Sequence, residues 1–162
     1  MATPTPDRLL RAMRALLASA AASLTTAPEQ RFISAGPPAV ATCERLTVHY
    51  ESVRSVVLPQ PTENPPPRNQ PRQRVGTLVV TLARSICASA DPKVDSLDAD
   101  GEQAALDGWE LFAGLLWRHA TGALFDGFDE ADTPRAANVT AGVVGERQGK
   151  FVVTTVSVEV AL

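Results

Sequence analysis

The side chains with chemical reach are few. His49 and His119, with Cys43 and Cys87, are the set a zinc ion would draw on. Zinc ligands come in close pairs such as C-x-x-C or H-x-x-x-H, and neither spacing is present. Ser96, Asp98, Asp100, Gly101 and Asp107 place oxygen donors around a glycine, as the EF-hand calcium loop does. Ser96 stands where that loop has its first Asp, Asp107 where it has a bidentate Glu, and Gln103 where it has an apolar residue. A strand rather than a helix is expected before it, so the stretch reads as a solvated helix entry. Gly145–Lys150, GERQGK, is too short for a Walker loop and leads into a strand. Without a helix N-terminus it has no anion cradle, and it reads as a hairpin turn. No G-x-S-x-G elbow is present to hold a serine nucleophile. Asn138-Val139-Thr140 fits a glycosylation acceptor by chance. No catalytic, cofactor-binding or metal-ligating residue is expected, and the chain reads as a non-enzyme.

The elements that carry these residues follow from periodicity. Leu9, Leu10, Met13, Leu16, Leu17, Ala20 and Leu24 recur at helical spacing behind Pro4 and Pro6, predicting a helix over Pro6–Leu24. Leu46, Val48 and Tyr50 alternate with Arg45, Thr47 and His49, predicting a strand over Arg45–Leu58. Its phase slips near Glu51 and Ser52, which implies a bulge or a bend. A second strand over Val75–Cys87 has Leu78, Val80, Leu82 and Ile86 on one face. Arg84 shares that face and needs a partner or an edge. If the register is symmetric about the connecting loop, Cys43 falls near Cys87, and the pair reads as two small buried thiols kept reduced.

A second helix is expected over Leu97–Ala120, capped by Asp95 or Ser96. Its stripe is Leu106, Trp109, Phe112, Ala113, Leu116, Trp117 and Ala120, continued by Leu124. The two tryptophans read as anchors of the core or of a subunit interface. The chain closes with a hairpin, Ala137–Val144 and Phe151–Ala161, in which Val152, Thr154, Val156, Val158 and Val160 share a face. Gly145 and Gly149 bracket its loop, ERQ. The expected fold class is α+β, one domain over residues 1–162 in the order α-β-β-α-β-β, a mostly antiparallel sheet with both helices packed on it.

Between the first two strands, residues 59–74 (PQPTENPPPRNQPRQR) hold little that is apolar. Their prolines lack amide donors, so a projecting loop is expected. The net charge of −3 and the absence of a basic block argue against generic nucleic-acid binding. No segment approaches the roughly 20 apolar residues that span a bilayer. Arg8, Arg11 and Arg14 interrupt the first apolar pattern, so no secretory signal is expected.

Four segments together resemble the tail terminators of long-tailed phages that infect actinobacteria. They are SAGPPAVATCERLTV at Ser34–Val48, TLVVTLARSIC at Thr77–Cys87, LDADGEQAALDGWELF at Leu97–Phe112, and the Gly-rich closing hairpin. The Pro-rich loop is longer than that pattern, and the last strand runs to the end of the chain. The resemblance implies a virion protein of the neck, made in the host cytoplasm. It would form a hexameric ring that caps the tail tube, between the major tail tube protein and the head-side connector. Genomic DNA would pass through its lumen without sequence-specific contact, and no membrane or cofactor is involved. Its interface candidates are Arg68, Arg72 and Arg74 in the Pro-rich loop, Asp126, Asp129, Glu130 and Asp132 in an acidic loop, and the C-terminal strand. The alternatives are a head-completion stopper or other connector ring, or a small cytosolic binding module that uses the Pro-rich loop.

Overall fold

The computed structural model describes residues 5–57, 72–85, 99–125 and 135–161. Helix α1 spans Thr5–Ala22, strands β1 Gln30–Ser34, β2 Arg45–Val57 and β3 Arg72–Ser85, helix α2 Ala99–Thr121, and strands β4 Arg135–Ala141, β5 Glu146–Gln148 and β6 Phe151–Ala161. The fold is α+β. The strand order is β1-β2-β3-β6-β4, with β5 also paired to β6. All pairings are antiparallel except β1 with β2.

The long strands form because their alternation has the strand period. In β6, Val152, Thr154, Val156, Val158 and Val160 are all buried on the face that carries the helices. Leu46 and Val48 on β2 and Leu78, Val80 and Leu82 on β3 join that face. The expected phase slip is a register shift between Tyr50 and Ser52, which lets Val53 return to the apolar side.

Both helices lie on this one face. Ala12, Met13, Leu16 and Ala20 of α1 and Leu111 and Leu115 of α2 close a single core with the strands. The buried hydroxyl of Ser19 donates to the Leu124 carbonyl at 2.7 Å, so a polar group inside the core is satisfied. Helix α2 comes unusually close to the sheet. A Cβ at Gly108 would lie 2.0 Å from Thr154 Oγ1. The helix ends at Gly122, whose φ of +74° turns the chain away, while the Ala123 amide donates to the Arg118 carbonyl.

Three expectations need correction. Strand β1 is an additional element: five residues with only Ile33 packed on the core carry too little alternation to signal themselves. The residues ERQ are not the hairpin loop but strand β5, and the turn is Gly149-Lys150, with φ of +62° at Gly149. The Pro-rich loop does not extend to Arg74. Arg72, Gln73 and Arg74 pair with Val57, Val56 and Ser55, because the backbone ladder continues where the side chains have stopped alternating.

Candidate assembly surface

Among the described residues, one polar cluster ties the helices and loops to the sheet around Arg84. Arg84 is buried on β3, with Nε 3.1 Å from Asp107 Oδ2, a charge contact rather than an aligned hydrogen bond. Its NH1 lies 3.5 Å from Glu44 Oε2, and its NH2 donates to the Thr26 carbonyl. This is the partner the sequence required. Glu44 also accepts from the Ser85 amide and hydroxyl, and Glu110 accepts from the Thr25 amide. A polar depression of about 580 Å³ opens beside these groups. Its carboxylates bind the protein itself, so the cluster latches α2 and two loops to the sheet. Asp100 and Gly101 lie in the first turn of α2, so the calcium-loop pattern is helix there. Ser96 and Asp98 lie outside the described residues.

His49, which reads from the sequence as solvated or hydrogen-bonded, is not solvated. It is 6 % exposed, on the face of the sheet opposite the helices, beside the buried hydroxyl of Thr47. Its Nδ1 has no hydrogen-bond partner among the described residues. Burial lowers its pKa from 6.5, and the Glu51 carboxylate pulls the other way. Cys43 precedes β2 rather than lying within it, and its thiol donates to Gln30 Oε1 at 3.0 Å. Cys87 is outside the described residues, as are Arg68, Asp126, Asp129, Glu130 and Asp132. Of the interface candidates, Arg72 opens β3, and Arg74 is exposed two residues on.

The surface that stands out is the outer face of α2. Leu106 is 60 % exposed, Trp109 56 %, Leu116 38 % and Trp117 70 %. Ala113 and Ala120 are exposed between them. Of the two roles read from the sequence, the core is excluded for both tryptophans. The helix instead buries Ala104, Gly108, Leu111 and Leu115. Trp109 meets Phe112 edge-on, with centroids 6.4 Å apart. Leu106, Trp109, Ala113, Leu116 and Ala120 follow the 3-4 spacing of a heptad seam, and here that seam faces out.

A second apolar region is a groove of about 470 Å³ between α1 and the end of β1. Leu9, Leu10, Met13, Ile33, Tyr50 and Val53 line it, with Arg74 at one side. Among the described residues no helix is long and apolar enough to cross a membrane. Comparison with protein-family models and with curated proteins gives no match to this chain.

Proposed function

We infer that the chain is a structural subunit that works by assembling with copies of itself. The observation that carries this reading is the outward seam of α2, where two tryptophans and two leucines sit in water. Exposed apolar area of this kind, on one face, marks a contact surface. The polar clusters add support, because their charged groups are spent on holding the fold.

The assembly we propose is the hexameric neck ring of a long-tailed phage, most specifically the tail terminator. The four segments that resemble that family support this identity, together with the α+β architecture. In this role the ring caps the tail tube and presents its other side to the head-side connector. DNA threads the lumen, and the protein resides in the virion. Removing the gene product is then expected to give heads without tails alongside tubes of uncontrolled length. Tails of normal length, with DNA leaking from the heads, would assign the chain to the head-side stopper instead.

A further inference from the structure

Helix α2 is held in two different ways along its length. From Leu111 onward it is anchored in the main core. Leu111 and Leu115 are fully buried there, and Leu124 and Phe125 follow just beyond the helix end. The first half, Ala99–Glu110, contributes no residue to that core. Among the described residues, its buried apolar side chain is Ala104, which forms with Val152 a cluster of two set apart from the rest. Its other close contacts are also with small groups. Gly108 lies against Thr154, and a Cβ at Gly145 would come 2.9 Å from the Ala105 Cβ. Apolar burial this small offsets little of the cost of ordering a helix, and Gly101 and Gly108 are poor helix formers.

Polar contacts take the place of a core in this half. Asp107 Oδ2 lies 3.1 Å from Arg84 Nε, Asp107 Oδ1 accepts from Gln103 Nε2 at 3.1 Å, and Glu110 accepts from the Thr25 amide. The polar depression of about 580 Å³ is lined by Gln103, Asp107 and Glu110 from α2, and by Thr26, Glu44 and Arg84 from the sheet and its loops. Water therefore reaches between the helix and the groups to which it is tied. The pair of Asp107 with Arg84 is the strongest of these ties, because both side chains are largely withdrawn from water.

We propose that Ala99–Glu110 is a flap, latched by the Asp107–Arg84 pair, that opens as a unit while the rest of the domain stays folded. Opening breaks the ties of Asp107 and Glu110, parts Ala104 from Val152, and leaves Leu111, Leu115 and the sheet in place. It bares the Arg84 guanidinium, with Glu44 and the Thr26 carbonyl as its remaining partners. It also divides the outward seam, since Leu106 and Trp109 ride on the flap while Ala113, Leu116 and Ala120 stay on the anchored half. The seam is whole only while the latch is closed. Partial openings of this kind belong to segments with few buried apolar contacts and water-exposed ties, as this half of α2 is.

The test is native-state hydrogen exchange of the full chain, read residue by residue. The first four amides of a helix have no acceptor within it, so the flap is read at Gln103–Glu110 and the anchored half at Leu115–His119. In the wild type the flap amides are expected to exchange at least about tenfold faster after correction for intrinsic rates. Their exchange is expected to depend little on urea, because a partial opening exposes little surface. Two variants separate partial from global opening. Asp107→Asn weakens the closed state alone, so it is expected to speed flap and anchored amides alike, by about tenfold. Val48→Ala opens a cavity in the main core on β2, a strand that α1 covers. It is expected to speed the anchored amides at least about tenfold and to leave the flap amides unchanged, because Val48 stays buried when the flap opens. Leu46→Val takes its place if that variant folds poorly by circular dichroism. Flap amides that the core variant speeds as much as the anchored ones would show that the helix leaves only when the whole domain unfolds, and the proposal falls. Flap amides unmoved by Asp107→Asn would show that the pair is no latch, which overturns it equally.

Discussion

His49 and Arg84 show the two ways in which a buried polar residue is tolerated. Arg84 is surrounded by acceptors, so removing it leaves Asp107 at the helix–sheet contact with the neutral Gln103 amide but without the charge that faces it. Arg84→Ala is expected to cost about 2–4 kcal/mol, less than a fully enclosed pair because Glu44 is partly in water. A urea denaturation midpoint reads this loss. His49 is instead held neutral by burial, with its pKa below the ordinary 6.5. The unfolded chain takes up this proton near about pH 6.5, and the folded chain does so only at lower pH. Stability therefore falls as the pH drops below about 6.5, and the loss levels off below the folded pKa. Melting temperatures at about pH 7.5 and about pH 5.5 are expected to differ more for the wild type than for His49→Gln. Equal differences would contradict the assignment. This burial was not legible beforehand, because a histidine on the polar side of a strand looks solvated until the neighbouring side chains are placed around it.

At the scale of elements, legibility tracked the strength of the alternation. Strands β2, β3 and β6 announce themselves through runs such as Leu78-x-Val80-x-Leu82 and Val152 to Val160, and the bulge near Glu51 showed as a slip in that pattern. Helix α2 was legible as a helix, but its orientation was not. The bulky stripe with both tryptophans outweighs the buried one, whose members Ala104 and Gly108 are small because the helix lies so near the sheet. This orientation predicts two contrasts. Leu111→Ala is expected to cost about 2–5 kcal/mol as a cavity-forming change. Leu106→Ala is expected to change monomer stability by under about 0.5 kcal/mol, since its side chain already meets water. Gly108→Ala, which in an open helix gains about 1 kcal/mol, is expected here to lose about 1–3 kcal/mol against Thr154. Chemical denaturation of the three variants checks all of these, and a stabilised Gly108→Ala would contradict the close approach.

At the scale of the molecule, a five-strand path with helices on one face leaves β1 and β4 as its outer strands. Helix α1 and its groove lie over the β1 end, and α2 over the β4 end. Of the interface anticipated from the sequence, Arg74 lies beside this groove. The apolar ridge and groove themselves were not legible, because each takes residues whose hydrophobicity suggests the core. Only the packing of the helices shows which of them are left over.

The tryptophans test this account directly. The chain has two, Trp109 and Trp117, and both stand on the outer face of α2. Their fluorescence therefore reports on that face alone. In a dilution series followed together with sedimentation, the emission is expected to move to shorter wavelength, and acrylamide quenching to weaken, over the concentrations at which the chain assembles. An oligomer whose tryptophan emission and quenching match those of the monomer would contradict the claim that α2 makes the contact.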